Sequence, residues 1–236
     1  MKDIAIFGAG GFGREVQMLI EDINKEKKIW NIIGFFDDGY KKGEIINNIP
    51  TLGGIGELNA WDSKLSLAVA IGNPETKQKI IQNINNAMID FPTLIHPSAI
   101  IGNNEYLKIG RGCIICAGCI ITTNIEIKDF VILNLACTVG HDTIIGKHSS
   151  FMPTCNISGE VNIGECVYCG TGAKIINQMN VGANSVIGAG AVVITDVPNN
   201  AVIAGVPAVV KKIKGGVIRF NSYLNTVSNL CQFIGA

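Results

Sequence analysis

The sequence predicts a small α/β half-domain followed by a parallel β-helix solenoid, and three features of its 236 residues carry that expectation. An apolar residue recurs at every sixth position from Ile109 to Val193 without a slip. A short apolar run, KDIAIF, leads straight into the glycine cluster GAGGFG and then into a segment with apolar residues at helical spacing. Pro92 and Pro97 flank the crossing between the two patterns. The expected boundaries are 1–92 for the α/β unit, 93–212 for the solenoid and 213–236 for a tail.

In the first unit, strand, glycine loop and helix follow in order, with Val16, Leu19, Ile20 and Ile23 as the buried stripe of the helix. Gly8, Gly10 and Gly13, with Gly11 and Phe12 between them, match the pattern in which backbone N–H groups approach a phosphate at a helix N-terminus. A second strand, IIGFFDD, ends in Asp37 and Asp38, where a nucleotide-binding unit places an acid near a sugar or base. A third, LSLAVAIG, reaches Gly72 and Asn73 before a helix that begins near Pro74. Three or four parallel strands in about ninety residues make half of a dinucleotide fold. Such a unit holds a mononucleotide and leaves a hydride donor without its second half.

The six-residue period is that of a β-helix, since neither a helical period of 3.6 nor strict alternation along one strand produces it. Each hexapeptide makes one short strand and one corner, and three sides close a coil whose rungs stack about 4.8 Å apart. Glycine often follows the apolar position, as at Gly110, Gly140, Gly146, Gly164 and Gly182, and is expected where a turn would strain a residue with a Cβ. The fifth place is small or β-branched and fits a narrowing corner. Ile95, Ile101 and Leu107 already keep the step, and a slip of two residues before Ile109 predicts a bulge.

Composition narrows the function. Lysine and arginine balance aspartate and glutamate at nineteen each, so no basic excess points to nucleic acid. The opening MKDIAIFGAGG carries too short an apolar run for a signal peptide, and no later run approaches a membrane span. A cytoplasmic protein with no membrane partner is the expectation. Cys113, Cys119, Cys137 and Cys155 fall on the small fifth place and Cys169 on the apolar one, so they read as buried hydrophobes. No metal is expected, because four convergent ligands are missing.

Among three histidines, His141 stands out. It lies two places after the apolar Val139, on a corner, where its side chain faces outward. Imidazole titrates near neutrality and suits a general base, and adjacent Asp142 is placed to orient it. His96, before a proline at the solenoid entrance, reads as a packing residue. His141 and His148 are seven residues apart, not the five of the histidine ligands in β-helical zinc carbonic anhydrases.

Taken together, the unbroken hexapeptides, the glycine loop, the Asp-Asp pair, the Ile71-Gly72-Asn73 strand end and the VGHD motif resemble the hexapeptide-repeat sugar acetyltransferases of the sialic acid and bacillosamine type. The resemblance implies a left-handed coil, a homotrimer, and acetyl-CoA as co-substrate. It implies that the first unit holds a nucleotide sugar and that His141 is the catalytic base, following a coil that carries Asn134. Relatives place a second histidine, proposed to contact the thioester, nine residues after the base. Here that place is Ser150, with His148 two residues earlier. The resemblance assigns the coenzyme A groove, between subunits, to Gly170, Thr171, Gly188, Ala189, Gly205 and Pro207, with Lys211 near the phosphates. The activity it implies is N-acetylation of a nucleotide-linked amino sugar for surface glycans. O-acetylation of a sugar such as sialic acid is the alternative, as is a nucleotide-sugar-binding scaffold without turnover. The tail beyond the family's usual end shows helical spacing at Val217, Phe220, Leu224, Val227 and Leu230.

Overall fold

A computed structural model describes residues 1–215, so the expected tail helix lies outside the described residues. The α/β unit runs β1 (Lys2–Phe7), α1 (Gly11–Glu26), β2 (Trp30–Phe36), β3 (Ile45–Ile46), β4 (Ile49–Gly53), α2 (Ile55–Asn59), β5 (Leu65–Val69), α3 (Pro74–Asn83) and β6 (Ile89–Asp90). The sheet order is β3-β4-β2-β1-β5-β6. Five strands are parallel, and β3 alone turns back against β4. That exceeds the three or four strands expected. The additional strands lie in a turn-rich stretch or are two residues long, too short to show a period.

From Leu94 the chain winds into a parallel β-helix. Its first face stacks strands from Leu94–Ile95 up to Ala201–Ala204, its second from Ile100–Ile101 to Val192–Val193, and its third from Leu107–Ile109 to Asn180–Val181. Ile115 pairs with Leu133, Leu133 with Phe151, and Phe151 with Cys169, one coil of eighteen residues at a time. The sixfold apolar series fills the interior, together with Cys113, Cys119, Cys137 and Cys155 at the corners. Those thiols donate weakly to backbone carbonyls, as Cys119 Sγ does to Asn134 O at 3.1 Å and Cys137 Sγ to Met152 O at 3.2 Å. All seven described cysteines are free and buried. The two-residue slip is taken up by a 3₁₀ turn at Asn104–Tyr106, between the second and third faces of the first coil.

The corner glycines act differently from expectation. Gly110, Gly140, Gly146 and Gly164 are not at positive φ; a Cβ on Gly146 would come within 2.4 Å of Gly164 C, and one on Gly164 within 2.6 Å of Ala183 N. Glycine is needed there because successive coils touch backbone to backbone. The left-handed conformation falls two residues later, at Phe130, Ala136, Asp142, His148, Thr154, Glu160 and Cys166.

The α/β unit lies on the first face. Ile114 and Ile132, which point outward from that face, share a core with Val16, Leu19 and Ile20 of α1. Further up, the fully buried Lys77 of α3 donates to Ser150 Oγ at 2.8 Å. At the top, Lys214, just past the antiparallel strand Val209–Ile213, pairs with Glu75 at 2.6 Å. His96 joins the same packing: Nε2 lies 3.1 Å from Asp22 Oδ2 of α1, and Nδ1 accepts from Ser98 N at 3.0 Å. Among the described residues, no helix is long and apolar enough to cross a membrane.

Candidate active site

At the glycine loop, Gly8 (φ +105°) and Gly13 serve the fold, since a Cβ on Gly13 would come within 1.9 Å of Gly8 O. Gly10 and Gly11 have open space at their Cβ positions, and Gly10, the N-cap of α1, provides no side-chain cap. The first turn of α1 thus opens without a side-chain cap, with half-buried Phe12 beside it. Asp37 closes this turn: its Oδ2 accepts from Ala9 N and its Oδ1 from Gly39 N, both at 2.8 Å. Asp38 instead accepts from Ile55 N at 2.8 Å and anchors the start of α2. Asn73 caps α3 by accepting from Thr76 N at 2.9 Å. With Gly72 it lines a cavity of about 390 Å³ that is closed on the solenoid side by Met152, Cys166 and Tyr168. The pair thus stands at the seam of the two units.

His141 is exposed on the corner between the second and third faces. Its Nδ1–H donates to Asp142 Oδ2 at 2.8 Å, and Asn124 Nδ2, one coil earlier, donates to Asp142 Oδ1 at 3.1 Å. A carboxylate can only accept, so in the neutral imidazole this contact keeps the proton on Nδ1 and the lone pair on Nε2. The hydrogen bond from His141 first, and that from Asn124 second, hold Asp142 below the usual carboxylate range. Asp142 itself has φ +56°, a conformation that aspartate tolerates better than most residues. Beneath it, Glu105 and Tyr106 of the 3₁₀ turn, with Lys108, Asn124, Glu126 and Ile144, line a cavity of about 350 Å³.

The remaining candidates do not gather at His141 within one chain. Asn134 is buried on the preceding corner, between the first and second faces, its Oδ1 accepting from Leu135 N at 2.6 Å. Gly170, Thr171, Gly188 and Ala189 follow it up that same corner, and Gly205 and Pro207 form the turn above, before exposed Lys211. Ser150 is fully buried with its hydroxyl held by Lys77, so it is not available to a thioester. His148 stands on the corner between the third and first faces, stacked on Phe130 at 5.4 Å and 4°. Neither fills the place of a second site histidine.

Lys77 is a residue the sequence reading missed. Burial pulls its amine down to about 7. Its spacing from Pro74 and Ile81 puts it on the apolar stripe of α3, the one sign that it is not a solvated lysine. Among the described residues, no group of three or more His, Cys, Asp or Glu is placed to hold a metal.

Residues 3–84 match the PglD N-terminal domain family. The chain is 33% identical over 191 residues to GDP-perosamine N-acetyltransferase of Escherichia coli O157:H7, covering 80% of this chain and 85% of that protein. It is similar to the acetyltransferase domain of PglB from Neisseria gonorrhoeae FA1090, with a TM-score of 0.81 and 32% identity over 89% of this chain and 100% of that one. That domain has also been solved in complex with acetyl coenzyme A. A histidine-to-asparagine mutant of perosamine N-acetyltransferase from Caulobacter crescentus, in complex with CoA and GDP-perosamine, matches with a TM-score of 0.79 and 27% identity, over 90% of this chain and 98% of that one. These likenesses carry the left-handed sense of the coil. With its glycine loop, its continuous solenoid and its corner histidine, the chain belongs to the hexapeptide-repeat sugar acetyltransferases and is an acetyl-CoA-dependent acyltransferase.

Proposed function

We propose that this protein N-acetylates the amine of a nucleotide-linked amino sugar, with His141 as general base. The observation that carries the reading is the His141–Asp142 pair, an exposed imidazole with a fixed tautomer on a rigid corner. The amine nitrogen attacks the thioester carbonyl while its proton passes to His141 Nε2. Asp142 steadies the imidazolium, backbone N–H groups of the late coils stabilise the oxyanion, and collapse expels the thiolate of coenzyme A, which recovers the proton. The open amides of Gly10 and Gly11 and the Asp37 turn suit the phosphates and sugar of the nucleotide.

Geometry supports a homotrimer as the working unit. The α/β unit covers the first face, and His141 stands on the one corner that this face does not border. The late-coil positions flank the second face on its other side. A neighbouring copy supplies what one chain keeps apart: its late-coil corner and α/β unit bring acetyl-CoA and the amine to this His141. The compartment we assign is the cytoplasm, whose reducing conditions suit the seven described cysteines, all free.

The test is release of free thiol from acetyl-CoA across a panel of nucleotide-linked 4-amino sugars and free sialic acids. Turnover with the amino sugars supports the reading. Turnover with sialic acid alone would favour O-acetylation, and none with either would favour a binding scaffold. Sedimentation reports the trimer, and a fully active monomer would remove the shared site. Replacing Asp37 and Asp38 together by alanine is expected to raise KM for the nucleotide sugar far more than KM for acetyl-CoA. Equal rises would make both acids purely structural.

A further inference from the structure

Directly above His141, one coil later, the column of the same corner position holds Gly159, while the other coils carry Thr123, Asn177 and Thr195 there. Gly159 is not at positive φ, so its backbone is one that any residue adopts. Nor does it repeat the backbone contact of the glycines that follow the apolar plugs. The three atoms nearest to a Cβ built on Gly159 all belong to the imidazole of His141: Nε2 at 2.5 Å, Cε1 at 2.6 Å and Cδ2 at 2.9 Å. Gly159 is itself buried, although its corner faces outward. The Nε2 side of the ring lies against this glycine, in the space a Cβ would fill.

Resting on the base assignment above, we propose that Gly159 is a positioning residue for His141: the missing side chain is the seat of the imidazole. Asp142 holds the ring by one nitrogen, which leaves rotation about that contact open. The backbone of the next coil removes this freedom by supporting the ring face. A methyl group at 159 has no other neighbour so close to displace, so its effect is addressed to one side chain. It would drive Nε2 off its place while leaving plugs, turns and the acetyl-CoA corner alone.

The experiment is a double-substitution cycle read by steady-state kinetics with acetyl-CoA and the best amino sugar of the panel. Gly159→Ala is expected to lower kcat by about 10²-fold, the order of loss that follows a misplacement of about 1 Å. Acetyl-CoA affinity by calorimetry, melting temperature and sedimentation should stay at wild-type values. In the His141→Ala background the same change should leave the residual rate within about twofold, because the side chain it acts on is gone. Wild-type turnover in Gly159→Ala would overturn the proposal, as would an equal loss in both backgrounds, which would mean that the methyl acts elsewhere. Lost acetyl-CoA binding would overturn it too, by showing a disturbed coil. If His141→Ala kept full activity, the base assignment itself would fall and the positioning role with it, a result distinct from each of the others.

Discussion

Two histidines seven residues apart occupy consecutive corners of the same solenoid and have opposite surroundings. His141 is exposed and paired with a carboxylate through Nδ1. His148 is half-buried, stacked on Phe130, and its Nδ1 has no hydrogen-bond partner among the described residues. Burial, and after it the positive charge of Lys77, push the His148 imidazole below its ordinary titration range. The difference comes from the α/β unit, which covers the first face and leaves the far corner open. The docked unit thus separates an exposed histidine from a half-buried one on the same scaffold.

The largest effect expected from this contrast is at the open corner. His141→Ala should lower turnover by about 10²- to 10⁴-fold, the usual cost of losing a general base. Fold and acetyl-CoA affinity should survive, because Val139 and the coil contacts are untouched. With an amine acceptor the loss should shrink as pH rises, since solution base takes over proton removal. Full turnover at neutral pH would erase the distinction between the two corners.

At the covered corner the prediction concerns stability. The folded protein holds Lys77 neutral down to about 7, against 10.5 for a free lysine. Between those values the unfolded chain binds a proton that the folded chain does not, so stability rises with pH across that window. The slope approaches about 1.4 kcal/mol per pH unit for one proton. Thermal melting from pH 7 to 10 should therefore climb in the wild type and flatten in Lys77→Met. A slope that persists in the variant would mean that some other group carries it. The smallest effect is that of His148→Asn, which keeps a side chain tolerant of φ +62° and removes the ring stack. It should cost about 0.5–1.5 kcal/mol of stability and leave turnover unchanged. Loss of activity there would make His148 part of the chemistry.

The repeat made most of the scaffold legible. A six-residue period predicts where each plug, corner and outward side chain falls, and so it placed His141 on the surface before any coordinates. The α/β sheet was less legible because β3 and β6 are two residues long and β4 emerges from the turn-rich GYKKGEIINNIPTLGG. The corner glycines were assigned to the right places for the wrong reason. Contact between successive coils is non-local, and no local pattern distinguishes it from a demand for positive φ. Lys77 does not stand out in the sequence because lysine is rarely buried; only its position on the stripe of α3 points inward. Which positions share a corner follows from counting in eighteens. Which corner stays open depends on how the two units dock, and the period does not encode that.

The 3₁₀ turn at Asn104–Tyr106 bears on how such a protein diversifies. Strands in a coil cannot lengthen without throwing every rung above them out of register, so extra residues can enter only at corners. Here the two that do so enter on the same corner column as His141, two coils below it, and put Glu105 and Tyr106 at the wall of the cavity under Asp142. In this chain the extra length therefore enters where it shapes the surroundings of His141, and every rung above keeps its register.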